Sequence, residues 1–464
     1  MILKDGKIYA NGLLHKGSIL INSGIIEAIK YNPSKEDKER FIEKNQDGKV
    51  IDCVNKLILP GIIDIHSHLR DMEQSQKETF LTGTKAAAYS GITTVFNMPN
   101  TIPPAIDTET VIKWMNRAKN NIYINVGFIA GVPKSFNEEE IKKIISLGVF
   151  GFKIYPLKSL NSIDWQNESN IQKLLSISSK YHIPIFIHPD KPLLSKKRLE
   201  ILDNWFQERY SILKLHNKIY PPELESAYIT FIIDNYLQNI ESNKLTPNKF
   251  PIVHFCHVSC KSSYEIITQI LKHNTELKIS FEVTPHHLLL SNEIPLKKET
   301  FGKVLPPLRE EVHTRFLFEK FKEGKINLIG TDHAPHTKEE KSDDYLTAPS
   351  GFPGFETYPL MLLNKVCHYE LSLENFVKAA SENPARIFNL KNKGFIKEGS
   401  DADLLIVDKI PEYQINPAKF KSKAKFSPYE NYSTTVLIWK VFLKGIEINK
   451  DDVKPTGKII TRSR

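Results

Sequence analysis

The middle of the chain alternates short apolar segments with longer amphipathic ones. The apolar segments are rich in β-branched and aromatic residues, a pattern typical of buried strands. Eight strands are predicted on this basis: Leu57–His66, Thr93–Met98, Tyr123–Phe128, Gly151–Tyr155, Ile183–His188, Ile252–His257, Lys278–Thr284 and Ile326–Thr331. Helical periodicity falls between them, for example at Lys77–Ser90, Glu138–Ser146, Ile171–Tyr181, Glu223–Leu237, Ser262–His273 and Glu310–Phe321. This α/β alternation favours a closed (β/α)₈ TIM barrel, and an open doubly wound sheet stays the alternative.

The two ends of the chain and three internal segments depart from this alternation. Short strands are predicted at Lys7–Tyr9, Ser18–Asn22, Ile25–Lys30, Asp403–Val407 and Ser433–Gly445. Residues 190–220 carry apolar side chains at near-helical spacing, which predicts a helical insertion. The polar segments 155–168 and 334–352 follow strands. Their central parts, Pro156–Asp164 and His336–Gly351, are therefore candidates for loops that close over an active site.

Composition places the 464-residue chain among ordinary globular proteins, with 41% hydrophobic and 25% charged residues. The first residues lack the apolar core of a secretory signal, and no apolar run reaches the length needed to cross a bilayer. The cysteines lack zinc-finger spacing, which favours reduced thiols and a cytoplasmic location. They are Cys53, Cys256, Cys260 and Cys367.

The net charge of +9 could favour an anionic partner. Basic residues are interleaved with acidic ones, however, as in residues 35–40. A solvated surface is therefore the better interpretation. We expect a small-molecule substrate as the partner, and neither nucleic acid nor a membrane.

Side chains that can bind a metal recur at the ends of the predicted strands. His66 and His68 end the first strand on one face, so both can hold a single ion. The other candidate ligands at strand ends are Lys153, His188, His257 and Asp332. Each residue alone has an ordinary explanation, as an exposed or core histidine or as a lysine that reaches the surface. Together the six residues favour a metal site, because the carboxyl ends of barrel strands form one face.

These ligand types suit zinc, with other divalent first-row metals as alternatives. An amine such as that of Lys153, when shielded from water, can react with carbon dioxide to form a carbamate that bridges two metals. Two ions bridged by hydroxide would supply a nucleophile at neutral pH, since metal-bound water can reach a pKa of roughly 7. Asp332 would carry the proton, because its carboxylate can contact both a metal and the hydroxide.

A series of motifs runs through nearly the whole chain. They are PGIIDIHSHLR at 60–70, NMPNT at 97–101, GFKIY at 151–155, CHVS at 256–259, EVTPHH at 282–287, TDHAPH at 331–336 and GFPGFET at 351–357. In order and content they resemble the motifs of the amidohydrolase superfamily, and within it those of the dihydroorotase family. The segments at 383–388 and 399–403 recur across that superfamily and identify no substrate.

The resemblance implies a binuclear zinc centre and a substrate site beside it. One ion would be held by His66, His68 and Asp332, the other by His188 and His257, with carboxylated Lys153 between them. Arg70, Asn100 and His336 would bind the substrate carboxylate, for which a guanidinium is well suited because it presents paired donors.

The implied reaction is the reversible cyclisation of N-carbamoyl-L-aspartate to L-dihydroorotate in pyrimidine biosynthesis. A bridging hydroxide would be the nucleophile for ring opening, and Asp332 the general acid and base. The implied domains are a barrel at 56–394 and a small β-sandwich formed by residues 1–55 and 395–464. The resemblance is also compatible with a homodimer and with association with aspartate carbamoyltransferase.

The sequence departs from the family pattern at several positions. Many bacterial relatives have an aspartate in place of Lys153, whereas the lysine resembles the dihydroorotase domain of the animal multifunctional protein. Leu305 stands where relatives often have a polar substrate contact. Cys256 and Glu282 resemble ligands of a third zinc in the animal domain. On a regular strand, however, residues 256 and 257 would point to opposite faces.

Two alternative functions remain open at this stage. Allantoinases and dihydropyrimidinases share the metal ligands, but their neutral substrates do not require the carboxylate-binding set of Arg70, Asn100 and His336. A non-catalytic relative could serve as a structural partner of aspartate carbamoyltransferase. Such relatives generally lose metal ligands, which are all present in this sequence.

Overall fold

The computed structural model describes residues 1–43, 48–342 and 344–462. Its strands are β1 (Ile2–Ala10), β2 (Leu13–Asn22), β3 (Ile25–Tyr31), β4 (Val50–Asp52), β5 (Leu57–Pro60), β6 (Ile62–Ser67), β7 (Ile92–Asn97), β8 (Asn125–Gly131), β9 (Gly151–Ile154), β10 (Pro184–Ile187), β11 (Ile252–Phe255), β12 (Ile279–Phe281), β13 (Leu404–Gln414), β14 (Ser433–Leu443) and β15 (Ile446–Glu447). Its helices are α1 (Lys35–Glu43), α2 (Phe80–Tyr89), α3 (Thr108–Ala118), α4 (Glu138–Ser146), α5 (Glu168–Tyr181), α6 (Ser195–Glu208), α7 (Ile212–Ile219), α8 (Pro222–Ser242), α9 (Lys261–His273), α10 (Pro285–Leu289), α11 (Glu311–Lys322), α12 (Tyr358–Cys367), α13 (Leu373–Val377) and α14 (Asn383–Ile387).

The strands β6 to β12 form a parallel sheet in sequential order, with the helices on its outside. The predicted eighth strand is not a regular strand. Its segment nevertheless closes the sheet, because Ile329 bridges to Val283 after β12 and His333 bridges to Ser67 of β6. Both bridges are parallel, so the predicted (β/α)₈ barrel is confirmed.

The N- and C-terminal strands pair into one mixed sheet, as the resemblance implied. Its strand order is β15-β14-β13-β5-β1-β2-β3. Strand β4 lies outside this order and pairs with β1. The predicted single strand Leu57–His66 is wrong, because the chain breaks at Gly61 and β5 joins the mixed sheet while β6 enters the barrel. A Cβ on Gly61 would collide with the side chain of Thr93, so only glycine permits this close passage. The predicted domain boundaries stay a prediction.

The long interruption after β10 is helical, as predicted. It contains α6 and α7, and Trp205, Leu215 and Ile219 pack there against Tyr345 of the loop that follows the eighth barrel segment. The insertion therefore supports the candidate closing loop at 336–351. Within the described part of the chain, no helix is both long and apolar enough to cross a bilayer.

A buried ion pair joins the loop at 305–309 to helix α8. Arg309 and Glu225 are each almost fully buried, and the guanidinium donates to the carboxylate across 3.1 Å. The same guanidinium donates to Ser259 Oγ at 2.8 Å, and the backbone N–H of Ser259 donates to Glu225. This network links the loop to the chain just after His257.

Removing one partner of this pair is expected to destabilise the barrel strongly. We expect Glu225→Met to lower the free energy of unfolding by about 3–5 kcal/mol, because it removes the carboxylate to which the buried Arg309 guanidinium donates. Urea denaturation followed by tryptophan fluorescence would measure the change. The double variant Glu225→Met/Arg309→Met is the control and should recover much of the loss. A loss below about 1 kcal/mol in the single variant would contradict the importance of the pair.

Candidate metal centre and substrate site

The structure brings the six predicted metal ligands to the carboxyl end of the barrel. His66 lies in β6, Lys153 in β9, and the others follow the ends of their strands; all six are buried. A cavity of about 350 Å³ opens above them. Its lining includes His66, His68, His188, His257 and Asp332, together with Arg70 and Asn100.

The first group of candidate ligands is formed by His66, His68 and Asp332. The Oδ1 atom of Asp332 lies 2.9 Å from His68 Nε2 and 3.5 Å from His66 Nε2. The three ligand atoms lie within 4.8 Å of one another. One cation can therefore contact all three residues.

Hydrogen bonds on the far sides of the two imidazoles orient their lone pairs toward this point. His68 Nδ1 donates to Asn100 Oδ1 at 2.6 Å, and His66 Nδ1 donates to the Glu282 carboxylate. With their protons on Nδ1, both rings turn a lone pair on Nε2 toward the carboxylate of Asp332. Facing lone pairs repel one another unless a cation lies between them, so this geometry fits a metal ion.

The second group of candidate ligands carries buried polar atoms without partners. The rings of His188 and His257 lie 4.5 Å apart, and His257 lies 5.2 Å from His66. Among the described residues, none provides a hydrogen bond to Lys153 Nζ, His188 Nε2 or His257 Nδ1. Buried polar atoms are costly when left unsatisfied, and a metal ion would satisfy the two imidazole nitrogens. The mixture of nitrogen and oxygen donors suits zinc.

Electrostatics favours neutral imidazoles at His68 and His188 and an ionised carboxylate at Asp332. Burial lowers the pKa of His188 to about 3 and that of His68 to about 4, so both imidazoles are neutral. Burial alone would raise the pKa of Asp332, but the neighbouring His66 and His68 hold it below its usual value. Burial lowers the pKa of His66, yet Glu282 outweighs that effect and raises it to about 10. The position between His66 and Asp332 thus attracts positive charge.

Of the three predicted substrate-binding residues, Arg70 and Asn100 line the cavity, and His336 contacts Arg70. Arg70 Nη2 is 3.3 Å from His336 Nε2, and Arg70 Nε donates to the carbonyl of Pro335 at 3.2 Å. Asn100 is held by its contact with His68. Arg70 is nearly fully buried and no carboxylate side chain pairs with it in the described chain, so its charge is available to a bound anion.

Both predicted closing loops reach the cavity. Lys158 of the first loop and Ser350 and Gly351 of the second line it, as do Val304 and Leu305. Leu305 therefore lies at the cavity wall as an apolar residue. The sequence did not single out Lys158 or Tyr155 as lining residues, although Tyr155 ends the GFKIY motif that contains Lys153.

The regular strand on which Cys256 and His257 would point to opposite faces does not extend to these residues. Strand β11 ends at Phe255, and His257 adopts a φ of 37°, so the alternation of a regular strand no longer applies. Ligand atoms of His66, Cys256 and Glu282 lie within 4.8 Å of one another. The residues of the predicted third site are therefore adjacent, while a third metal stays a prediction.

Comparison with known proteins identifies the family. Residues 57–439, most of the chain, match the profile of the Amidohydrolase family. The chain belongs to the amidohydrolase family. This amidohydrolase is 35% identical to the dihydroorotase of Pyrococcus abyssi over 98% of both chains. It is 32% identical to the dihydroorotase of Caldanaerobacter subterraneus subsp. tengcongensis over 96% of both chains.

Solved structures agree with the fold. The L-hydantoinase (dihydropyrimidinase) of Arthrobacter aurescens superposes with a TM-score of 0.84, covers 99% of both chains and is 23% identical. The dihydropyrimidinase of Brevibacillus agri superposes with a TM-score of 0.83 at 22% identity, over 100% of this chain and 98% of its own. At such identities the likeness shows the fold alone. Within the amidohydrolases, the curated relatives group this chain with the dihydroorotases.

Proposed function

We propose that the chain is a metal-dependent dihydroorotase, which interconverts N-carbamoyl-L-aspartate and L-dihydroorotate in pyrimidine biosynthesis. The observation that carries this function is the buried Arg70 beside the ligand cluster, with His336 and Asn100 next to it. Dihydroorotate has a free carboxylate beside its reacting ring amide, and paired donors of this kind bind a carboxylate. The neutral rings of allantoin and dihydrouracil would leave the arginine without a counter-ion.

The six clustered residues would hold two divalent ions, for which zinc is the best match. His66, His68 and Asp332 would bind one, His188 and His257 the other, and Lys153, as its carbamate, would bridge the pair. When bound, such ions polarise the amide carbonyl and make a nucleophile available at neutral pH. The partnerless nitrogens at the second position support this assignment.

Asp332 would move the proton in both directions of the reaction. In ring opening, water adds its oxygen to the amide carbon, the carbon–nitrogen bond breaks, and Asp332 transfers the proton of the water to the leaving nitrogen. In ring closure, Asp332 takes the proton from the ureido nitrogen as that nitrogen attacks the side-chain carboxyl group and water leaves. Arg70, Asn100 and His336 would hold the other carboxylate and so fix the reacting bond above the cluster.

The oligomeric state, the protein partner and the cellular location stay predictions. A homodimer, an association with aspartate carbamoyltransferase and a cytoplasmic location are each compatible with the fold. The thiols of Cys53, Cys256, Cys260 and Cys367 are free, in line with the reducing compartment that the sequence predicted.

The function is tested by measuring substrate turnover of the zinc-loaded protein. Ring opening of dihydroorotate would be followed by ultraviolet absorbance, with allantoin and dihydrouracil in parallel assays. We expect turnover of dihydroorotate alone. Turnover of a neutral ring would contradict the assignment of Arg70, and metal-loaded protein that turns over none of the three would favour a structural role.

Replacing Arg70 should weaken substrate binding more than it slows the chemical step. We expect Arg70→Met to raise the KM for dihydroorotate by about 50- to 100-fold, because the substrate carboxylate loses a buried charge-assisted partner. Steady-state kinetics at constant ionic strength would measure this change. Arg315→Met, at an exposed arginine that pairs with Glu311 far from the cavity, is the control and should keep the wild-type KM. An unchanged KM in Arg70→Met would refute the proposed role.

A further inference from the structure

Three consecutive residues that include Arg70 have a left-handed backbone. Arg70, Asp71 and Met72 have φ angles of 55°, 71° and 47°, although none of them is glycine. No other run of three non-glycine residues in the described part of the chain has positive φ throughout. Residues other than glycine rarely adopt this conformation. Such a run persists only where surrounding contacts hold it, and residues of this kind are frequent at ligand-binding sites.

The backbone on either side of Arg70 is hydrogen-bonded to separate parts of the barrel. Before Arg70, the backbone N–H of Leu69 donates to Asn97 Oδ1 of β7 at 2.9 Å. After it, the backbone N–H of Asp71 donates to the carbonyl of Glu78 at 2.9 Å. The change of chain direction between these two hydrogen bonds therefore falls on Arg70.

A buried carboxylate connects this turn to two helices. Asp71 is 2% exposed. Its Oδ2 accepts from the backbone N–H of Phe80 at 2.8 Å, and its Oδ1 accepts from the backbone N–H of Met72 at 2.6 Å and from Arg117 Nε at 2.8 Å. Phe80 is the first residue of α2, so the predicted start of this helix at Lys77 is wrong. Arg117 lies in the last turn of α3.

The conformation of the turn determines where the Arg70 guanidinium lies. Arg70 is buried and lines the cavity, and its Nε donates to the carbonyl of Pro335 at 3.2 Å. The direction of a side chain follows from the φ and ψ of its own residue. A return of residues 70–72 to negative φ would therefore move the guanidinium from this position. Asp71 itself does not line the cavity, so its effect on a bound substrate would pass through Arg70.

We propose that Asp71 is a positioning residue that holds Arg70 in the left-handed conformation needed to bind the substrate carboxylate. The inference rests on the proposed function, which assigns that carboxylate to Arg70. Without the Asp71 carboxylate, only a fraction of the free enzyme would have Arg70 in place, and the apparent affinity falls by that fraction. Bound substrate selects the competent form, so the KM rises while kcat at saturation changes little.

The kinetic test uses zinc-loaded variants with dihydroorotate as the substrate. We expect Asp71→Ala to raise the KM about 10- to 30-fold and to change kcat less than about twofold. Asp71→Asn should raise the KM about 3- to 6-fold, because asparagine tolerates positive φ and keeps one acceptor oxygen. This milder variant serves if Asp71→Ala does not fold.

Asp107→Ala is the matched control for these variants. It removes a carboxylate that accepts from the backbone N–H of Thr110 at the start of α3 and does not line the cavity. The control should keep the wild-type KM. A wild-type KM in both Asp71 variants, or an equal rise of the KM in Asp107→Ala, would overturn the proposal.

A double variant tests whether Asp71 acts through Arg70. Arg70→Met already removes the guanidinium, so adding Asp71→Ala to it should change the KM by less than about threefold. A larger further rise would mean that Asp71 acts on binding by another route, and the proposal would be wrong.

Crystal structures of the variants separate the inference from the proposed function. In Asp71→Ala, residues 70–72 should leave the left-handed region and Arg70 should lose its contact with Pro335, whereas both features should persist in Asp107→Ala. This readout needs no substrate, so it stands even if the enzyme acts on another ring. A left-handed turn and a Pro335 contact that persist in Asp71→Ala would overturn the inference. A wild-type enzyme without dihydroorotate turnover would overturn the proposed function alone.

Discussion

Asp332→Asn is expected to lower the kcat for dihydroorotate by about 10³- to 10⁴-fold, the range typical of a lost general acid and base. The amide keeps the shape of the carboxylate and an oxygen that can face His68, but it cannot accept and return a proton. The neighbouring imidazoles hold the pKa of Asp332 below its usual value, so the wild-type carboxylate is ionised and ready to accept a proton. We expect the KM to change little, because the carboxylate-binding residues are intact.

Two controls distinguish the loss of proton transfer in Asp332→Asn from a loss of bound metal: metal analysis of the variant, and replacement of another buried aspartate. The variant would be assayed after zinc loading, with its metal content measured on the same sample. Asp190→Asn is the control, since Asp190 is also buried, follows His188 by two residues and does not line the cavity. Its kcat should stay within about threefold of wild type. Asp332→Asn protein that carries full metal and keeps even a tenth of the wild-type kcat would refute the role of Asp332 in proton transfer.

The clustering of the candidate ligands was predictable because it depends on local order along the chain. A parallel barrel places the carboxyl end of every strand on one face, so a polar residue that ends an apolar segment is assigned to that face without knowledge of distant contacts. His66, His68 and Asp332 illustrate this, since the structure brings their ligand atoms within 4.8 Å. Helix α4 begins and ends where its periodicity predicted.

Features that depend on distant parts of the chain were not predictable. The close approach of Gly61 to the side chain of Thr93 depends on a neighbouring strand, and the contact of Lys77 with His336 joins residues 259 positions apart. No periodic pattern carries such information. The adjacency of Cys256 and Glu282 was not predictable for a different reason, because the alternation of a regular strand ends at Phe255 and says nothing about the residues that follow.

Lys153→Met is expected to lower kcat by about 10³-fold and to lower the bound metal from two ions per chain to one. The ammonium of Lys153 is buried in β9 and no described residue gives it a hydrogen-bond partner, which is a costly state for a charged group. Reaction of the neutral amine with carbon dioxide would replace this group with a carbamate whose oxygens could bind both metals. Methionine fills the same space without those oxygens, and the loss of several kcal/mol of metal-assisted stabilisation corresponds to about 10³ in rate.

Isotope labelling tests the carbamate directly. Enzyme reconstituted with zinc in ¹³C-bicarbonate should show one carbamate signal by ¹³C NMR, and Lys153→Met should lack it. Lys158→Met is the matched control, because Lys158 is an exposed lysine at the rim of the same cavity and its loss should leave the carbamate signal and the metal content unchanged. If Lys153→Met kept two metals and wild-type turnover, the lysine would be a packing residue. The second metal position would then have to be held by His188 and His257 without a bridge, which is one protein ligand fewer than catalytic zinc usually has.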